Sequence, residues 1–300
     1  MQNYRESGKG KIWALPAVVC GATGIAFAPI FVRLSEVGPI ATAFWRITLA
    51  LPVLWVWMAW ESIHTRRKNH EKRFRFHPLL FVPGLFFAGD LAVWHFSIKF
   101  TTVANATLLA NLAPIFVTLA AWRIFHERIS KRFLFGMAIA VTGTMFLMSS
   151  SFKLQSRYLA GDALGILTAL FYAGYILTVN RLRSRFSTAR IMSWGGLCCS
   201  VVLLPLALFS EESLLAGSLH GWMVLLGLAL ISQVGGQGLI AFSLAYLPAP
   251  FASVSLLLQP VLAAIFAWII LKEGIGFFGA LGGVVILTGI YLARKGSVKE

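Results

Sequence analysis

Ten apolar runs, each of about 20 residues, follow one another along the 300-residue chain, separated by short polar stretches. A run of that length crosses roughly 30 Å of hydrocarbon as a helix. Inside lipid the backbone has no water to bond, so every N–H and C=O must be satisfied within the protein. Long, unbroken apolar runs meet that demand as helices, and the chain is expected to be an all-α membrane protein. Composition agrees. Hydrophobic residues make up 58% and charged residues 12%, against about 25% charged in a soluble domain. The longest polar stretch, 61–77, is too short for a soluble domain.

The spans are expected at 12–32, 38–60, 78–98, 103–123, 133–149, 161–181, 188–209, 219–242, 250–270 and 276–293. The first follows a basic start, but it outlasts the apolar core of a secretory signal, about 7–15 residues, and reads as a retained span. The net charge of +15 does not indicate nucleic acid, because the charges sit between apolar runs. Lys and Arg total 20 on the loops and termini of one side and 5 on the other, with Arg46 inside span 2. The richer side, with both termini, is expected to face the cytoplasm across the cell's inner membrane. Trp13, Trp60 and Trp222 lie near span ends and read as interfacial anchors. Cys20, Cys198 and Cys199 lie inside apolar runs at no zinc or disulfide spacing, and read as small hydrophobes.

The chain is also one unit written twice. An offset of 146 positions lays 104–143 on 250–289 without a gap. Ala106 meets Ala252, Pro114 meets Pro260, Trp122 meets Trp268, Glu127 meets Glu273, and Gly136 meets Gly282. The expected domains are therefore 1–150, with spans 1–5, and 151–300, with spans 6–10. Five crossings end on the opposite side from their start. The second copy is thus expected upside down, giving two inverted five-helix repeats, the plan of many secondary transporters.

These features carry a resemblance. The Ala-x-x-x-Leu run, the mid-helix proline, the terminal glutamate and the glycine-containing helix that follows occur at 104–143 and again at 250–289. With Phe44-Trp45-Arg46 in span 2, they make the chain similar to the drug/metabolite transporter superfamily, in its ten-helix EamA-type branch. The resemblance spans roughly 13–293. It implies a transporter of amino acids, nucleotide-linked metabolites, sugars or drugs, with efflux as the favoured direction. It also implies a central cavity lined by spans 1, 3, 4, 6, 8 and 9.

Candidate site residues are polar groups inside the hydrocarbon, where charge is costly. Arg46 and Asp90 lie at similar depths, about 12 to 13 Å from the outer ends of spans 2 and 3 at ~1.5 Å per residue. They are expected to form an ion pair, either as a structural tie or as a coupling device in which Asp90 takes a proton or a substrate amine. Under the same offset Arg46 meets Met192 and Asp90 meets Gly236, so the charges belong to the first half alone. Trp94 shares a helix face with Asp90, whereas His95 points about 140° away.

In span 4, Thr107, Asn111 and Thr118 form a polar stripe around Pro114. Pro260 repeats the proline in span 9, beside Gln259. Both prolines are candidate hinges, because each removes a backbone donor. Tyr172 and Tyr175 of span 6 and Gln233 and Gln237 of span 8 complete an expected cavity of aromatic walls with amide and hydroxyl tips. Such a cavity suits an amino acid or related zwitterion. Glu127 and Glu273, at helix ends, are expected to pair with nearby Arg123, Arg128 or Lys272.

No HExxH, phosphate-binding loop or nucleophile elbow is present, so neither metal, cofactor nor ATPase module is implied. An ion or substrate gradient must then supply the energy. The expected function is secondary active transport of a small molecule, the expected partners being that substrate, the bilayer, and a proton or counter-substrate. One alternative is an uptake or exchange carrier for a cationic metabolite such as S-adenosylmethionine. An intramembrane enzyme is the rival of another class; it lacks a well-placed catalytic pair, since Asp90 and His95 diverge.

Overall fold

The structure is a computed structural model and describes residues 8–69, 77–149, 158–210, 213–274 and 276–297. Arg5, Lys72, Arg73, Arg75, Lys153, Arg157 and Lys299, which enter the loop-charge count, lie outside these residues, as does Ile275. Ten helices are long and apolar enough to cross a membrane. They are span 1 (Gly10–Leu34), span 2 (Pro39–His64), span 3 (Pro78–Phe100), span 4 (Asn105–Arg123) and span 5 (Lys131–Met148). Span 6 (Leu159–Leu182), span 7 (Thr188–Phe209), span 8 (Leu219–Ser243), span 9 (Ala249–Leu271) and span 10 (Phe277–Ser297) follow. No strand occurs among the described residues. The chain is a multi-pass membrane protein, and its helix ends differ from expectation by four residues or fewer.

Local chemistry sets several helix starts. Thr102, Ser130, Ser187 and Ser218 each turn a hydroxyl back to accept the backbone N–H three residues on. Each satisfies one of the four donors that a helix N-terminus leaves without a partner. Prolines set the interruptions. Span 4 is broken between Val103–Ala110 and Ala113–Arg123, and span 9 between Ala249–Ser255 and Leu258–Leu271. Each break lies just ahead of the matching proline, Pro114 or Pro260. There the backbone tightens to bonds three residues apart, such as Leu112 N–H to Leu109 O at 3.1 Å and Leu257 N–H to Val254 O at 3.1 Å. The proline ring excludes a normal turn before it. Span 8 departs in the other sense, as residues Leu228–Gln237 wind as a π-helix.

Glycines fix the register between the halves. A Cβ on Gly296 would fall on the backbone nitrogen of Phe133, one on Gly289 on that of Ala140, and one on Gly282 on that of Leu147. Rising numbers in span 5 meet falling numbers in span 10. These corresponding spans therefore run antiparallel, as an inverted pair requires. Span 3 meets span 6 in the same sense, Phe86 against Gly174 and Phe171 against Gly89. Span 1 meets span 8, where Ser232 Oγ donates to Gly24 O at 2.8 Å and Phe31 covers Gly227. Span 2 meets span 7 through Ser193 Oγ, which donates to Leu54 O at 2.9 Å, and through the 2.7 Å Thr48–Ser200 hydroxyl pair.

Small residues thus face inward, while Val56, Phe135 and Trp268 point outward. That is the pattern of a bundle in lipid, where close packing rather than the hydrophobic effect draws helices together. Trp13 and Trp60 are exposed, as anchors should be. Trp222 instead packs edge-on against Trp45, with ring centroids 4.9 Å apart.

Gly289→Leu drives a side chain into the span 5 backbone. It should lower the melting temperature of the detergent-solubilised protein, at a cost of at least 1–3 kcal/mol, roughly that of overpacking a core. Gly274→Ala, where nothing lies within 4 Å of the added carbon, should leave it unchanged in the same thermal scan.

Candidate functional site

A partly buried polar cluster lies where spans 2, 3, 6, 8 and 9 converge. Arg46 is its centre. Its Nε donates to Gln233 Oε1 at 2.9 Å, and its guanidinium carbon stands 5.7 Å from the centroid of the Phe87 ring. Phe87 in turn meets Tyr175 at 4.9 Å. Tyr175 stacks on Tyr172 with centroids 6.1 Å apart and planes 9° from parallel. The Tyr172 hydroxyl lies beside the carboxamide of Gln259, and the Tyr175 hydroxyl beside that of Gln237. Tyr175 also donates to Met192 Sδ at 3.8 Å, bringing in span 7.

The direct Arg46–Asp90 bridge expected from their depths is not formed. Direct ion pairs do join Arg33 to Glu273 and Arg181 to Glu127. Asp90 remains within electrostatic reach of Arg46 and of Tyr172. The physical reason is that Arg46 is claimed by the amide of Gln233, which is only 2% exposed. Depth along two helices fixes one coordinate of a contact; the helix rotations decide the rest. The site therefore holds a guanidinium and a carboxyl group near one another but not joined, with the Phe87, Tyr172 and Tyr175 rings beside them.

Further polar atoms in the cluster are incompletely satisfied. The amide nitrogens of Gln237 and Gln259 make no well-directed hydrogen bond within the protein, although each stands beside a tyrosine hydroxyl. Burying such a donor costs about 1–3 kcal/mol, and a bound polar solute would recover it.

The other expected residues are less central. Asn111 donates back to the Thr107 carbonyl at 3.0 Å, so that part of the span 4 stripe is satisfied within its own helix. Thr118 donates to Met137 Sδ at 3.3 Å. Trp94 meets the His95 ring edge-on at 5.0 Å. His95 is buried, with Nδ1 on the Leu91 carbonyl and Nε2 without a partner. Phe87 was not among the expected site residues. Its only sequence signal is its place one turn before Asp90, and a phenylalanine in an apolar run carries no mark of its own.

The helix-end glutamates also pair differently from expectation. Glu273 binds Arg33, and Glu127 lies 3.9 Å from Arg181, so neither pairs with its sequence neighbours Arg123, Arg128 or Lys272. The reason is in the backbone. His126 and Lys272 take left-handed conformations at φ 54° and 59°, which turns the next residue away from its own helix. On the Arg33 side, Glu36 accepts from the N–H groups of Gly217 at 3.1 Å and Ser218 at 3.0 Å and from the Ser218 hydroxyl. The Ser218 hydroxyl does most to hold the Glu36 carboxyl below its ordinary value of 4.5.

Gln233→Leu would remove the acceptor from the half-buried guanidinium of Arg46. The expected loss of stability is about 2–3 kcal/mol, the cost of stranding a charged donor, read as a lower melting temperature. Gln233→Glu, which keeps an acceptor, should recover most of it.

Comparison with known proteins agrees with this architecture. The EamA-like transporter family model matches twice, over residues 8–149 and 159–294. A transporter of Archaeoglobus fulgidus is 25% identical over 89% of this chain and 91% of its own. The pseudopaline exporter CntI of Pseudomonas aeruginosa is 25% identical over 70% of this chain and 72% of its own. A probable amino-acid metabolite efflux pump of Salmonella typhimurium is 27% identical over 68% and 72%. A protein crystal structure that is 15% identical superimposes with a TM-score of 0.78 over 97% of this chain and 98% of that one, which speaks for the fold. With both halves matched and relatives named as small-molecule transporters, the chain belongs to the EamA-like transporter family.

Proposed function

We propose that this protein is a secondary active exporter of small zwitterionic metabolites, amino acids or their relatives, and that it works by alternating access. The observation that carries the substrate class is the unjoined pair of Arg46 and Asp90 in one partly buried cluster. An arginine fork suits a carboxylate, and a neighbouring carboxylate suits an ammonium. The stacked Tyr172 and Tyr175 rings offer an apolar wall, and the amide donors of Gln237 and Gln259 offer orientation. Trp94, Thr107 and Asn111 belong at the edge of this site. Relatives named for exporting pseudopaline and for amino-acid metabolite efflux favour the outward direction.

Two inverted halves, 1–150 and 151–300, exchange conformations in this reading, with the breaks at Pro114 and Pro260 as hinges. The termini face the cytoplasm, and a proton or counter-substrate on Asp90 couples transport to a gradient. The loop charges and the antiparallel packing of spans 5 and 10 support this arrangement.

A second reading has one observation in its favour. Asp90 is not neutralised by a direct bridge, which suits a cationic substrate taken up or exchanged.

The test is transport by the purified protein in liposomes under an imposed pH gradient, with a panel of labelled amino acids and S-adenosylmethionine. At least one zwitterion should cross in a gradient-dependent manner. Asp90→Asn should abolish that coupled flux while leaving the protein folded. Transport of S-adenosylmethionine alone would move the assignment to the second reading. If no solute crosses under any gradient, the carrier reading fails, and parental coupling in Asp90→Asn removes Asp90 from the mechanism.

A further inference from the structure

We infer that Arg33–Glu273 and Arg181–Glu127 are the two gates of this carrier, one at each mouth, and that they open in alternation. The inference rests on the alternating-access reading, but its test needs no transported solute.

The first support is that one device appears twice. Span 1 and span 6 both end in an Arg-Leu pair, Arg33-Leu34 and Arg181-Leu182. Each arginine meets a glutamate that follows a different span of the other half. Arg33 of the first half meets Glu273 after span 9, and Arg181 of the second half meets Glu127 after span 4. Five crossings separate the two glutamates, which puts them on opposite faces.

The second support is the backbone that presents them. Span 4 ends with His126 left-handed and the Glu127 N–H bonded to Ala121 O at 2.9 Å. Span 9 ends with Lys272 left-handed and the Glu273 N–H bonded to Ala267 O at 3.3 Å. These are the same cap at matching positions, each closed by a bond that reaches six residues back. A left-handed backbone is disfavoured for any residue but glycine, so each cap keeps a costly shape that aims its glutamate at the other half. Each glutamate also rides on the helical segment beyond a proline break, Ala113–Arg123 or Leu258–Leu271. Bending at the break carries the glutamate with it.

The third support is energetic. All four side chains are exposed in part, at 61% and 47% for Arg33 and Glu273, and 53% and 36% for Arg181 and Glu127. Exposed pairs contribute little, so thermal motion can break them. The two mouths are not equally held. The first adds Phe27 stacked on Phe266 at 4.1 Å, whereas at the second the Arg181 guanidinium lies 3.8 Å from the Phe125 ring centroid and 3.9 Å from Glu127.

The experiment uses Gln259→Cys as a reporter in the full chain, with Cys20, Cys198 and Cys199 replaced by alanine or serine. A membrane-impermeant thiosulfonate reagent is applied to membrane vesicles of each orientation. The reporter should label from both sides. Adding Glu273→Gln should speed labelling from its own mouth about two- to fivefold, the range open to an exposed pair, and slow it from the other. Glu127→Gln should do the reverse. Joining Arg33→Glu with Glu273→Arg should restore the parental ratio, which a mere loss of folding would not allow. Labelling of the parent from one side only sinks alternating access, and these gates with it. Labelling from both sides, with ratios unchanged or shifted the same way by both glutamine variants, overturns the gates alone.

Discussion

The structure depends on how closely helix backbones approach one another where side chains are absent. Water drives no association between helices already in lipid, so their attraction rests on packing at short range. Spans 5 and 10 meet through Gly136, Ala140 and Gly143 on one side and Gly282, Gly289 and Ala293 on the other. Span 1 meets span 8 where Gly21 and Gly24 close on Gly236. Every one of these seams joins the first half to the second. The halves are thus interleaved, and the polar cluster around Arg46 is assembled from both.

Interleaving explains why the charges can be asymmetric. The aligned position of Asp90 in the second half is Gly236, and a Cβ there would come within 2.9 Å of the Ile25 nitrogen. That close approach is incompatible with a carboxylate. Arg46 draws on the second half for its acceptor, Gln233, and on the first for its ring, Phe87. Neither half could hold this guanidinium alone. A repeated scaffold therefore supports a site that occurs only once.

The spans were legible in the sequence because lipid imposes a length and a polarity on every crossing. The breaks at Pro114 and Pro260 were legible because proline cannot continue a turn. The polar residues of the cluster were also visible, since Arg46, Asp90 and Gln233 stand out in apolar runs. Their partners were not. The expected Arg46–Asp90 bridge came from depth alone, and depth says nothing of helix rotation. The glutamate pairings failed for a related reason. Proximity in sequence favours Arg123, Arg128 or Lys272, but the left-handed His126 and Lys272 turn the carboxylates across the interface. The winding of span 8 was not foreseen either, because the glutamines and glycines within Leu228–Gln237 do not by themselves specify a wider coil.

That winding affects how span 8 tolerates changes in length. A π-helix closes each hydrogen-bonded ring over one more residue than an α-helix does, so Leu228–Gln237 stores surplus chain in a wide coil. Deleting one residue there would let the coil tighten while both ends kept their places. Gln233 and Gln237 would then point in new directions relative to one another. The segment thus sets the bearing of two amides by residue count, so their directions can change through a single codon lost rather than a side chain exchanged.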